Sequence, residues 1–270
     1  MTDGAAAHRP AEARGDGAGH RIATARLVKR FGGFTAVDEV TVSLGDTGIT
    51  ALIGPNGAGK TTLFNLITGQ LAPDEGTVEL DGSDVTGRPP EEMARLGVGR
   101  SFQDVKLFGG LSTRENIAVY AQPRRTGSIV RTLAQPWHQR ALSKAALAVA
   151  DEVMGYLGIT ALAGTRTESL GFAQQKLVAI GRLLALQPRI LFLDEPASGL
   201  DTNGRATLSA TIRKLAEDGY SVCFVEHNTH LVRELASRVV FLSQGKILAD
   251  GPPEAVFSDR SLAETYLGLV

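Results

Sequence analysis

Gly54-Pro55-Asn56-Gly57-Ala58-Gly59-Lys60-Thr61-Thr62 follows the pattern G-x-x-x-x-G-K-[ST] at every fixed position. Glycines at this spacing let the backbone curl so that successive N–H groups point inward at a polyphosphate, and the helix that follows presents its positive end to the same anion. Lys60 would reach the β- and γ-phosphates, and Thr61 would offer its hydroxyl to Mg²⁺. The flanks suit this chemistry: the apolar run 49–53 precedes the loop and the amphipathic segment 63–68 follows it. A glycine-rich strand-to-helix turn that binds nothing is the alternative, and the full pattern with its flanks favours nucleotide binding.

Four further positions could complete a phosphate chemistry. Asp194 closes the apolar run Ile190-Leu191-Phe192-Leu193, where an acidic residue could hold Mg²⁺ opposite the loop. Glu195, one position further out, could orient or deprotonate an attacking water. Adjacent carboxylates could instead cap the next helix, but Pro196-Ala197-Ser198-Gly199-Leu200-Asp201 should bend sharply before any helix begins. His227 stands beyond the apolar run Val222-Cys223-Phe224-Val225; it is either structural or a γ-phosphate contact, because the strand ends of a parallel sheet converge on the ligand site. Gln103, also at a strand end, could touch Mg²⁺ or water through its amide, or be an ordinary polar loop residue.

The elements that must position these groups are legible from periodicity. Residues 25–28 and 40–44 alternate apolar and polar, with Phe31-Gly32-Gly33-Phe34 between them, and predict an antiparallel pair. Residues 77–80 with Asp81-Gly82 predict another short strand and turn. Ser112-Thr113-Arg114-Glu115 matches a capping box, and Leu142, Ala145, Ala146, Val149, Val153 and Leu157 recur at helical spacing. Residues 104–187 therefore read as a mostly helical lobe inserted into an α/β core. The segment 123–136 is assigned no element. The core resumes with strands at 190–194 and 222–225, helices at 203–217 and 229–235, and a hairpin-like pair around Gln244-Gly245. Strands alternating with helices after a phosphate loop predict a parallel sheet covered on both faces.

Composition narrows the classes. A chain of 270 residues, 43% hydrophobic, buries a proper core, and a formal charge of −1 gives no electrostatic case for nucleic acid. The single cysteine, Cys223, lies in an apolar run and reads as a small buried residue of a reducing compartment. No run of about 18 apolar residues exists to span a membrane. Residues 1–20 carry no apolar signal core and read as a disordered tail, which predicts a cytosolic location.

Taken together, the motifs resemble those of an ABC transporter ATPase subunit. The phosphate loop, Phe102-Gln103, residues 170–175 ahead of a helix, Leu191-Phe192-Leu193-Asp194-Glu195-Pro196, Ser198-Gly199-Leu200-Asp201 and Glu226-His227 occur in that family's order. The resemblance covers about residues 22–268. It implies an ABC-type ATPase fold, an α/β P-loop NTPase domain over 21–270 with an N-terminal antiparallel β subdomain and the inserted helical subdomain. It implies that Phe31 stacks on adenine and that Gln103 links the Mg²⁺ site to the membrane partner. Asp194 becomes the metal-side carboxylate, Glu195 the catalytic base, His227 the γ-phosphate sensor and Asp201 part of the dimer-facing loop. Two such subunits clamp two ATP molecules head to tail on the cytoplasmic face of the membrane, docked on integral-membrane permease subunits that an extracytoplasmic solute-binding protein supplies.

Arg100-Ser101-Phe102-Gln103-Asp104-Val105-Lys106-Leu107-Phe108, Glu115-Asn116-Ile117-Ala118-Val119, Val225-Glu226-His227-Asn228 and Thr265-Tyr266-Leu267-Gly268 look like the ATPases of branched-chain (hydrophobic) amino-acid uptake. Urea uptake, lipopolysaccharide export and a soluble ABC ATPase are the alternatives. The family's signature, Leu-Ser-Gly-Gly-Gln or Leu-Ser-Tyr-Gly-x-Gln, is here Leu170-Gly171-Phe172-Ala173-Gln174-Gln175. Gly171 has no hydroxyl for a partner's γ-phosphate, and Ala173 adds a Cβ where glycine allows close approach. The resemblance thus implies an asymmetric dimer with a second, different ATPase subunit; two equal sites that tolerate the substitutions are the alternative.

Overall fold

A computed structural model describes residues 20–46, 48–101, 106–121, 136–259 and 262, with side chains described from 144 onward in the helix that opens at 136. The expected tail, Phe102, Gln103, Val105 and the 265–268 ending lie outside the described residues. The chain divides into two compact units, Asp104–Gln187 and Pro10–Gln103 with Pro188–Val270.

In the second unit, the apolar alternation of the N-terminal segment produces β1 (Ile22–Phe31) and β2 (Phe34–Leu44), antiparallel and joined by the two-residue turn Gly32-Gly33. Both strands are longer than their periodicity suggests, because bulges interrupt the alternation. The register slips between Thr24 and Leu27, and Arg26 and Glu39 adopt φ of 45° and 50°. Strands β4 (Glu75–Leu80) and β5 (Ser83–Asp84) extend this sheet in the order β2-β1-β4-β5.

The second sheet has the order β10-β9-β3-β8-β7-β6 among the described residues. Its members are β3 (Ile49–Ile53), β6 (Val98–Arg100), β7 (Ile190–Asp194), β8 (Ser221–Val225), β9 (Arg238–Ser243) and β10 (Lys246–Gly251). All neighbours run parallel except β10, which returns antiparallel on β9. Every residue of β3, β7 and β8 is buried, so these central strands read as continuous apolar runs rather than alternations. Edge strand β10 alternates exposed and half-buried residues instead. Cys223 lies inside β8, and burial pushes its thiol up to about 12, which leaves it inert.

The helices of this unit are α1 (Lys60–Ile67) and α2 (Pro90–Arg95), followed after β7 by α6 (Thr202–Glu217), α7 (Thr229–Leu235) and α8 (Pro253–Ser258). Helix α1 supplies Leu63, Phe64, Leu66 and Ile67 to a core that also contains Ile22, Leu27 and Val40 of the antiparallel sheet and Phe192, Val225 and Leu242 of the parallel one. Phe64 meets Phe192 edge to face, with ring centroids 5.0 Å apart. The phosphate loop is thus mounted on a strand and a helix that are both locked into one core.

The other unit contains α3 (Thr113–Ala121), α4 (Pro136–Leu157) and α5 (Phe172–Leu184). The capping box forms as expected: the Ser112 N–H donates to Glu115 Oε2 at 2.8 Å and the Glu115 N–H donates to Ser112 Oγ at 3.2 Å. Ile117, Ala150, Val153, Val178 and Leu184 form the buried centre of the unit. A Cβ on Gly181 would lie 2.9 Å from Ile117 Cδ1, so this glycine permits the close approach of α3 and α5. Among the described residues, no helix is long and apolar enough to cross a membrane.

Candidate nucleotide-binding site

Strand β3 delivers the chain into the loop 54–59, and the backbone there explains the glycines. Gly54 has φ of 150°, and a Cβ on it would stand 1.9 Å from the Leu242 carbonyl oxygen; Gly59 has φ of 103° and a Cβ would stand 2.2 Å from that of Ala36. Neither position admits a side chain. The loop is stitched to its surroundings: the Gly245 N–H donates to Ala58 O at 2.9 Å, and the Leu63 N–H to Gly59 O at 2.8 Å. Lys60, only 6% exposed, donates from Nζ to the Gly54 and Pro55 carbonyls, each at 2.8 Å. Burial lowers its pKa, and the charges of Glu195 and Asp194 oppose that shift.

A cavity of about 320 Å³ opens over this loop. Asn56, Gly57, Ala58, Gly59, Lys60, Thr61 and Thr62 form its floor, Phe31, Phe34 and Ala36 one wall, and Glu195 and His227 another. Phe31 and Phe34 pair across the Gly32-Gly33 turn, and both phenyl rings remain about half exposed.

Asp194 is the last residue of β7 and is buried. Its N–H donates to Ser101 Oγ at 3.0 Å, and Arg100 Nη2 donates to its Oδ2 at 3.4 Å. Burial raises the Asp194 pKa, with Arg100 acting in the opposite direction. Arg100 is itself held from α1, since its Nη1 donates to Asn65 Oδ1 at 2.5 Å and to Thr68 Oγ1 at 3.0 Å. Glu195 follows in the left-handed region with φ of 43°, a conformation that a side-chain-bearing residue keeps only when its surroundings impose it. Its N–H donates to Val225 O at 3.0 Å. Glu195 Oε1 lies 3.0 Å from His227 Nε2, so the ends of β7 and β8 bring a carboxylate and an imidazole into direct contact beside the phosphate loop. Such a pair can take a proton from a water and hold the charge that results.

The carboxylates do not cap the following helix. Asp201 does so: its side chain accepts the Gly204 N–H at 2.7 Å at the start of α6. The signature segment also departs from expectation. Rather than preceding a helix, it forms the first turn of α5, with Gly171 as the N-cap and Phe172, Ala173 and Gln174 inside. The Gly171 N–H donates to Gln174 Oε1 at 3.1 Å. These four residues belong to the helical unit, and Gln103 lies outside the described residues.

Four contributors were not singled out from the sequence as parts of this site: Phe34, Ala36, Arg100 and Glu226. Phe34 had a readable signal, because strands flanking a two-residue turn place Phe31 and Phe34 opposite each other. Arg100 had none, since its partners are remote in the chain; Glu226 adjoins His227 in a motif, but its contact with Ala197, 29 positions away, had no local signal.

Residues 37–198 match the family described as ABC transporter. The chain is 37% identical over 245 residues to the high-affinity branched-chain amino acid transport ATP-binding protein BraF of Pseudomonas aeruginosa, covering 90% of this chain and 95% of that one. It is also 37% identical over 244 residues to the protein of the same description, LivG, from Escherichia coli K12, with the same two coverages. Among solved structures it is similar to a nucleotide-free ATP-binding cassette from an ABC transporter, with a TM-score of 0.80, 28% identity and coverage of 92% and 98%. A cassette in its ADP conformation matches equally well in shape, at 0.80, with 29% identity and coverage of 92% and 99%. The phosphate loop with its buried Lys60, the carboxylate–imidazole pair beside it and these likenesses together place the chain in the ABC transporter family, as an ATPase subunit.

Proposed function

We propose that this chain hydrolyses ATP on the cytoplasmic face of a membrane and thereby powers import of branched-chain, hydrophobic amino acids through partner permease subunits supplied by an extracytoplasmic binding protein. The observation that carries the reading is one cavity holding the phosphate loop with its buried Lys60 and the Glu195–His227 pair at 3.0 Å. The relatives named above add the substrate class.

Phe31 stacks on the base, and the N–H groups of Gly54, Asn56, Gly57, Ala58 and Gly59 onward cradle the phosphates, with Pro55, which has no N–H, shaping the turn and Lys60, Thr61 and Thr62 at the helix start. Lys60 exchanges its two carbonyl acceptors for phosphate oxygens. Glu195 removes a proton from the water that attacks the γ-phosphorus as the bond to the ADP oxygen breaks, and His227 keeps Glu195 oriented and contacts the γ-phosphate. The Thr61 hydroxyl and the buried Asp194 carboxylate are hard oxygen donors suited to Mg²⁺. Mg²⁺ supplies neutralisation of phosphate charge. Gln103, after β6, is assigned to the link between this site and the permease, and Phe108, 48% exposed on the helical unit, to its docking surface.

Labelled leucine, isoleucine, valine and urea uptake by cells carrying Lys60→Ala tests the reading. Branched-chain uptake alone should fall; normal entry of all four solutes, with no redundant carrier, would overturn it.

One observation favours an asymmetric dimer with a second, different ATPase subunit. Gly171 has an ordinary φ of −62°, and the nearest atom to a Cβ there is Gln174 Oε1 at 3.8 Å. Space therefore does not exclude serine, and the missing hydroxyl removes a hydrogen bond to a charged group worth roughly 1.5–3 kcal/mol from the site that borrows this segment. Site-specific turnover rates differing by less than twofold would rule the asymmetry out.

A further inference from the structure

Glu226 is a buried carboxylate, 5% exposed, that follows the last residue of β8. Its two oxygens are divided between two segments. Oε1 accepts the Ala197 N–H at 3.0 Å, and Oε2 accepts the His227 N–H at 3.2 Å. Ala197 lies two residues after Glu195, in the turn whose left-handed start sets the direction of the Glu195 side chain. His227 carries the imidazole that this side chain meets. A buried charge is costly unless its hydrogen bonds are complete, and here both partners are backbone donors from the segments that bear the reacting pair.

The chemistry requires a carboxylate. Each oxygen must accept, and no donor is wanted at either position. A glutamine would satisfy one N–H with its oxygen and oppose the other with its own NH₂. The same two segments are also joined by the Glu195 N–H to Val225 O bond and by the side-chain contact itself.

We propose that Glu226 is a positioning residue for hydrolysis: by receiving the Ala197 and His227 N–H groups on separate oxygens, it clamps the turn carrying Glu195 to the segment carrying His227 and fixes their 3.0 Å contact. The proposal rests on the reading of that pair as hydrolytic.

Full-length chain bearing Glu226→Gln, Glu226→Asp, His227→Ala, or Glu226→Gln together with His227→Ala provides the test, read as turnover at saturating ATP, equilibrium ATP affinity and thermal midpoint. Glu226→Gln should lower kcat at least tenfold while ATP affinity stays within twofold, and Glu226→Asp, which keeps both acceptors on a shorter stem, should recover part of the loss. On top of His227→Ala, Glu226→Gln should cost less than a further twofold, because both changes act through the same pair. Retention of more than half of kcat by Glu226→Gln would overturn the proposal. So would an equal fold-loss in both backgrounds, the mark of a merely structural role. Should the glutamine variant fail to fold, the aspartate variant is read in the intact and His227→Ala backgrounds, and an equal fold-loss in both refutes the clamp. Lys60→Ala separates the underlying reading: if it binds ATP as the intact chain does, the nucleotide site itself is misassigned and the clamp loses its ground.

Discussion

Among the described residues, two helices begin at a glycine, and the two glycines are there for different reasons. At α1, Gly59 sits in left-handed backbone with a carbonyl 2.2 Å from where its Cβ would be, and Gly54 at the head of the loop is tighter still. At α5, Gly171 has the extended backbone usual for an N-cap residue and open space around it. The loop glycines are dictated by the local structure. Gly171 is not, so its departure from serine bears on whatever contacts the segment rather than on the fold. Helix α6 supplies a third case, in which Asp201 makes the side-chain cap that Gly171 lacks.

The contrast can be tested in descending order of effect. Glu195→Gln should reduce ATP turnover by about 100-fold or more while leaving ATP binding intact, as the base role proposed for Glu195 requires. A comparable loss of binding would mean that the pair shapes the loop, and the distinction between geometry and chemistry would fail. Gly54→Ala should cost at least about 2 kcal/mol in chemical unfolding, through overpacking and backbone strain, against no more than about 1 kcal/mol for Gly171→Ala. Equal costs would break the comparison outright. Asp201→Ala should cost about 1 kcal/mol, whereas Gly171→Ser should gain a few tenths, both by the ordinary scale of N-cap energies.

The smallest effect is a pH dependence. Burial lowers the Lys60 pKa below its usual 10.5, so the unfolded chain binds the proton more tightly than the folded one. The charged form therefore penalises stability below the depressed native value, and the penalty fades as pH rises from that value towards 10.5. Unfolding curves of the intact chain and Lys60→Met across the alkaline range should show the intact chain gaining relative to the variant. A parallel pair of curves would mean that the two carbonyl acceptors fully compensate the burial.

The phosphate loop, Asp194 at a strand end, Glu195 beyond it and His227 after the next strand were legible because each belongs to a local pattern: a run of glycines, or a polar residue closing an apolar run. The antiparallel pair, the capping box at Ser112 and the helices after β7 and β8 were legible for the same reason. The bulges at Arg26 and Glu39 were not, because they interrupt the alternation by which strands are read. The start of α5 was misplaced because Gly171 bears no capping side chain; the extended ψ of 154° and the Gln174 side chain mark the boundary.

The sequence by itself determined the type of chemistry, since a lysine after a glycine loop and an acidic residue closing a buried strand need no partners to be recognised. It also determined the class of fold, because short-range periodicity specifies strands and helices one at a time. Only the tertiary structure decided how the groups act on one another. Glu195 and His227 lie 32 positions apart and meet because β7 and β8 are adjacent and parallel. Arg100 reaches Asp194 across 94 positions, and Glu226 reaches Ala197 across 29. Hydrogen bonds at such separations depend on strand order and register, which no local pattern encodes.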